Sequence, residues 1–327
     1  MKRTWIVLFL TCALALTAAG CSAGGDAKRV FLSVGTAPAG GAFFVVGGAL
    51  AEVLTDNAGD NGWQVSAEAT KGSKENIRRL TAGELDLALA NSAITYFAVR
   101  GEGEDWQTPA PVRAMMTLAP NVALFLAPRG GAVTSIADLA GERVYVGPAG
   151  AGFDYFLRPI LAAHGVDYDD LQALNGTQAQ GGDMLADGSA AAVFLGGAVP
   201  TASITQAAAS QDLLYLPYSE EAMEALTRHY LFFDRATVPA GKYRGLDEDF
   251  HGLDVGSMHL IASADAADEK VYRITKTLYE ARDQVVAKHG AGRAINEKNV
   301  VRDTGTPFHP GAIRYYREIG IWPDGRD

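Results

Sequence analysis

Val30-Phe31-Leu32-Ser33-Val34-Gly35-Thr36-Ala37-Pro38-Ala39-Gly40-Gly41-Ala42-Phe43-Phe44-Val45-Val46-Gly47-Gly48-Ala49-Leu50 is the stretch from which the fold can be read. Residues 30–34 are β-rich and alternate, which predicts a strand. Residues 35–41 are a glycine-rich loop. From Ala42 to Leu54 the chain places Val46, Leu50, Val53 and Leu54 on one helical face. Strand, glycine loop and helix in succession are the opening of an α/β layer built on a parallel sheet.

The same rhythm continues outward. A second strand is expected over 63–69, and a helix over 73–82 with Ser73 as its N-cap. A short apolar strand is expected over 85–90 and a helix over 94–99. A second α/β unit begins with the strand 122–127. A short helix at 136–143 and a strand at 144–146 lead to another glycine loop, Gly147-Pro148-Ala149-Gly150-Ala151-Gly152, and a helix from Phe153 to Gly165. Further on, the pattern predicts helix at 183–186, strands at 191–195 and 258–261, one long amphipathic helix over 268–288 and a last helix around 313–319. There is no internal repeat. The fold class is α/β in two lobes, with a ligand cleft where loops and helix N-termini meet beyond the carboxyl ends of the strands.

The N-terminus reads as a leader. Met1-Lys2-Arg3, an apolar run from Trp5 to Leu16, and Thr17-Ala18-Ala19-Gly20 before Cys21 make a signal peptide over 1–20. Cysteine directly after Ala-Ala-Gly resembles a bacterial lipobox, in which Cys21 is acylated and holds the mature chain at a membrane. Two other readings stay open: an incidental cysteine beside an ordinary cleavage site, and a spanning anchor, against which the shortness of the run counts. Residues 21–27 read as a lipidated, flexible tether. The expected location is therefore outside the cytoplasm, at the periplasmic or external face of a membrane.

Composition narrows the function. Cys12 leaves with the leader, so no intramolecular disulfide remains and a hydrophobic core, drawn from 48% apolar residues, must hold the 327-residue chain together. The net charge is −10, or −12 without Lys2 and Arg3, which disfavours nucleic acid as a partner. Neither glycine loop ends in Gly-Lys-Ser/Thr or holds Rossmann spacing, so no nucleotide cofactor is expected. There is no Gly-x-Ser-x-Gly elbow, no mature thiol besides Cys21, and the six histidines lack metal-ligand spacing. Catalytic residues, metal and cofactor are all expected to be absent. What the loops can do is bind an anion, because the N–H groups of a helix N-terminus carry partial positive charge.

The motifs resemble the TAXI solute-binding proteins, which serve TRAP-type transporters. The resemblance runs through Gly35-Thr36 and Gly40-Gly41-Ala42-Phe43-Phe44, Lys71-Gly72-Ser73 with Asn76-Ile77, and Ala82-Gly83-Glu84-Leu85-Asp86. It continues through Asn91-Ser92, Gly147-Pro148-Ala149-Gly150-Ala151-Gly152, Pro239-Ala240-Gly241 and His309-Pro310-Gly311-Ala312. It spans nearly all of the mature chain and is weakest over 173–235. It implies a type II periplasmic-binding-protein fold with two hinge-crossing strands, lobe one at 28–121 plus 260–327 and lobe two at 122–259. It implies a non-enzymatic monomer that closes on a small organic acid or amino acid and delivers it to a TRAP-type permease. A lipoprotein that signals to a membrane kinase, a surface lipoprotein with a vestigial cleft, and an exported enzyme on a related two-lobed fold, against which counts that Asp154 is the one titratable group among the cleft positions, are the rival readings.

Carried over residue by residue, the ligand shell is Gly40, Gly41, Ala42, Phe43, Asn91 and Ser92 from one lobe. From the other it is Gly150, Ala151, Gly152, Phe153, Asp154 and Phe194. Asp154 either sits in a helix first turn or meets an ammonium group. The family's usual hydroxyls are replaced by Ala42, Phe43 and Phe153. This points to a monocarboxylate or a more apolar ligand, since a buried ligand group without a partner costs about 1–3 kcal/mol.

Overall fold

The computed structural model describes residues 29–39 and 41–326. The leader, Cys21, the tether and Gly40 lie outside them. The first half runs β1 (Val30–Gly35), α1 (Ala42–Asp56), β2 (Trp63–Glu68), α2 (Ser73–Thr81), β3 (Leu87–Asn91), α3 (Ser92–Ala98) and β4 (Val112–Thr117). The second runs β5 (Val122–Pro128), β6 (Arg143–Tyr145), α4 (Asp154–Ala163), β7 (Gln172–Leu174), α5 (Gln178–Ala186), β8 (Ala192–Gly197), α6 (Ala202–Ser210), β9 (Leu213–Leu216), α7 (Glu220–His229), β10 (Asp234–Val238) and β11 (Phe250–Asp254). The chain then returns through β12 (Met258–Ser263), α8 (Asp268–Glu280), α9 (Arg282–Lys288) and α10 (Pro310–Glu318).

Two sheets result. The first has the order β2-β1-β3-β12-β4, and the second β10-β11-β5-β8-β6-β7, with β9 also paired to β5. The expected parallel pairing is found for β1 with β2 and β3, and for β6 with β7 and β8. Neither sheet is parallel throughout. The chain passes between sheets at residues 118–121 and 255–257, so β12 enters antiparallel to β3 and β4, and β5 antiparallel to β8 and β11. Met258 and His259, assigned to lobe two from sequence, pair within the first sheet.

Each sheet buries its own core. Leu50, Leu54, Leu89, Met116 and Ile274 lie in the first; Phe125, Phe156, Ile160, Phe194 and Phe232 lie in the second. Each such side chain contributes on the order of 1.5–3 kcal/mol. α1 buries the face that its apolar periodicity marks, Val46, Leu50, Val53 and Leu54.

Three local expectations change. The single helix over 268–288 breaks at Ala281 without glycine or proline. The break redirects α9 so that Val285 enters the core. Ser73 is not an N-cap: Gly72 takes that position, and the Ser73 hydroxyl accepts the Asn91 N–H at 3.0 Å instead. Between 173 and 254, where only two short elements were expected, the chain forms α5 to α7 and β7 to β11.

Candidate functional site

The first glycine loop joins β1 to α1 in one lobe, and the second precedes α4 in the other, against the first lobe. Gly41 is the N-cap of α1, and no side chain caps this helix; the Phe44 N–H turns back to the Gly41 carbonyl at 3.1 Å, which leaves the N–H groups of Ala42 and Phe43 as the ones a ligand could meet. Ala42 and Phe43 are half-buried, and Phe43 packs toward the first core. In the second lobe Phe153 precedes α4, again without a side-chain cap, and Asp154 opens the helix. Gly147 has φ of +106°, and the Phe153 ring lies 2.2 Å from where a Cβ on Gly147 would stand. Only glycine gives this loop both its backbone turn and its ring contact.

The second glycine loop meets the first lobe at the starts of α2 and α3. A Cβ on Gly72 would stand 3.8 Å from that of Ala151, and one on Gly152 would stand 2.8 Å from Ile94 Cδ1 and 3.0 Å from Lys74 Cδ. The second loop therefore rests on the N-termini of α2 and α3. Of the residues expected around a ligand, Ala151 and Gly152 reach this boundary, and Asn91 and Ser92 stand beside it at the start of α3. Phe194 is 1% exposed, in the second core with its ring 4.8 Å from Phe125. Phe153 packs 5.0 Å from Phe156.

The polar groups beneath the first loop serve one another. Asn91 Nδ2 donates to the Gly256 carbonyl at 2.8 Å, and its Oδ1 accepts the Ala93 N–H at 2.8 Å. Asn76 Nδ2 donates to the carbonyls of Thr36 and Leu89, both at 2.7 Å. Two buried oxygens, Asn76 Oδ1 and Ser92 Oγ, have no hydrogen-bond partner among the described residues. Sequence reasoning missed Lys74, Asp105 and Tyr155, which gather at this boundary. It also missed the hinge network of Asp254, Ser257, His259 and Arg302. The spacing of α2 could have flagged Lys74, one residue past Ser73 at an expected helix start.

A cavity of about 800 Å³ lies at the hinge, lined by residues that include Pro120, Asp234, Asp254, Arg293, Asn299 and Arg302. It shares no residue with the sequence-derived site. Nearby, His259 is fully buried, with Thr95 Oγ1 at 3.3 Å from Nδ1 and Thr304 Oγ1 at 2.8 Å from Nε2. Burial, aided by the charge of Arg302, pushes its pKa down to about 3. Among the described residues no group of three His, Cys, Asp or Glu side chains is placed to hold a metal. None of their helices is long and apolar enough to cross a membrane.

Two α/β sheets joined by two crossings of the chain are the architecture of the type II periplasmic-binding-protein fold. Residues 34–320 match the model of the NMT1-like family, and the chain belongs to that family. A structure from Bordetella bronchiseptica RB50 agrees with TM-score 0.54 at 14% identity, covering 92% of each chain. A Xanthomonas citri protein bound to ATP gives 0.50 at 12% identity, over 89% of this chain and 96% of that one. The alkanesulfonate-binding protein from Xanthomonas axonopodis pv. citri bound to MOPS gives 0.49 at 16%, over 90% and 85%.

Proposed function

We propose that this protein is an extracytoplasmic solute receptor of TAXI type. It captures a small carboxylate or amino-acid-like solute between its lobes and passes it to a TRAP-type permease. The observation that carries this is the pair of helix N-termini, α1 and α4, one in each lobe and neither capped by a side chain. Anions favour such ends. A solute that contacts both lobes would stabilise the closed arrangement. In this reading Cys21 carries the lipid and the mature chain acts as a monomer.

The solute is a monocarboxylate or a similarly apolar acid. Phe43 and Phe153 turn their rings toward their own lobes' cores, so nothing replaces the hydroxyls that the family has there. Backbone N–H groups then supply most of the recognition. A thermal-shift screen of the soluble chain, carrying Cys21→Ser and starting at that residue, tests the reading. A ligand at a hundredfold excess over Kd stabilises by about 2.7 kcal/mol. Monocarboxylates are expected to raise the melting temperature more than glutamate does. Tighter glutamate binding would overturn the assignment of the solute, and no shift with any acid or amino acid would overturn capture.

A further inference from the structure

Tyr155 belongs to α4, in the second lobe, yet its ring is held by the first. It is 7% exposed, inside a cluster that includes Ile77, Leu80, Ile94 and Trp106. The Phe97 ring lies 5.2 Å away. The loop between α3 and β4 gives way to it: a Cβ on Gly103 would stand 2.5 Å from the Tyr155 ring. At the far end of the ring the hydroxyl donates to Asp105 Oδ2 at 3.1 Å and accepts the Asp105 N–H at 3.3 Å. The same Oδ2 is 2.6 Å from Lys74 Nζ, and the pair is shielded, with side chains 24% and 15% exposed.

We infer that Tyr155 is a closing latch, a positioning residue that holds the lobes together before any solute arrives, with Asp105 and Lys74 as its receiver. Among the described residues the two lobes are covalently joined only through 118–121 and 255–257. A ring from one body seated in the apolar cluster of the other, and tied at its tip by two hydrogen bonds, opposes their separation. Lys74 adds a second tie, because its stem lies under Gly152 of the other lobe. Burial raises the pKa of Tyr155, so the hydroxyl remains a donor throughout the physiological range. Solute entry then requires the latch to open, and the closed fraction of free protein sets the apparent affinity.

The inference takes its meaning from the solute-binding reading, but its test needs no solute. The two can therefore fail separately. Small-angle X-ray scattering is recorded on the soluble mature chain after unfolding, dialysis and refolding, which strips any carried solute. The native chain is expected to scatter as the closed structure does. Tyr155→Ala should give a larger radius of gyration with an unchanged circular-dichroism spectrum. Should Tyr155→Ala fail to fold, Tyr155→Phe and the Asp105→Asn, Lys74→Met pair keep the packing and are expected to give a smaller expansion. A native chain that is already open, or folded variants with unchanged scattering, would overturn the latch.

Discussion

Arg302 Nη2 donates to Asp254 Oδ2 at 2.9 Å, tying the C-terminal segment to the last residue of β11 where the chain leaves the second lobe. The carboxylate side chain is 3% exposed and that of the arginine 23%. Asn121 N–H donates to Oδ1 at 2.9 Å and the Ser257 hydroxyl to Oδ2 at 2.6 Å. Ser257 is also in hydrogen-bond contact with Arg302. Burial pushes the Asp254 carboxyl up against the opposing pull of Arg302. Removing the arginine alone leaves that carboxyl buried without its charge partner. Arg302→Met should therefore destabilise the fold by about 3 kcal/mol, the lower end of the range for breaking a buried pair, since the guanidinium keeps a wet edge. The double variant with Asp254→Asn should recover much of the loss. Urea unfolding of both variants decides it; a native midpoint for Arg302→Met would remove this pair from the account of the hinge.

His259 predicts a pH dependence. Its folded pKa of about 3 lies below the unfolded value near 6.5, so the unfolded chain binds the proton more readily. The contribution is fully present above about pH 6.5 and falls as the pH drops toward 3, by at most about 1.4 kcal/mol per unit. Asp254, whose pKa is raised, works in the opposite direction at acid pH. The clean measurement is the stability difference between the native chain and His259→Gln. That difference should shrink from pH 7 to pH 4; a constant difference would mean that His259 is not held neutral.

Gly147 and Gly150 separate backbone strain from packing in one loop. Both have positive φ, +106° and +74°. At Gly150 a Cβ meets nothing within 4 Å, while at Gly147 it would overlap the Phe153 ring. Gly150→Ala should cost about 1–2 kcal/mol, the penalty for a left-handed residue. Gly147→Ala should cost more and displace Phe153, weakening solute binding as well. Equal melting temperatures for the two variants would show that the ring yields without cost.

Cys21 makes a cellular prediction. If it is acylated, the protein expressed in a bacterium partitions into the detergent phase of a cloud-point extraction, and Cys21→Ser moves it to the aqueous phase. Aqueous partitioning of both would leave Cys21 as an ordinary residue beside a cleavage site.

Much of the first lobe was legible because its signals are local. Periodicity marks α1 and the glycines mark the loop before it. The alternation of β1 is likewise local. The latch was invisible for the opposite reason: Lys74, Asp105 and Tyr155 are far apart in sequence, and each alone looks like an ordinary surface residue. Phe194 illustrates a different limit. Its place at a strand near the cleft is readable, but which way its ring turns depends on Phe125 and Phe156, from two other elements. The strands β7 and β9 to β11 were missed because, apart from β9, they are short, polar or partly exposed.

The position of β12 between β3 and β4 orders the assembly of the molecule in time. Every strand of the second sheet lies within residues 122–254, so that lobe can be completed from one uninterrupted run of chain. The first sheet cannot. Its β3 and β4 wait with a vacant place between them until residues 258–263 emerge, and loop closure over so long a separation is slow. A chain delivered N-terminus first is therefore kept from finishing its first lobe until its second is already made.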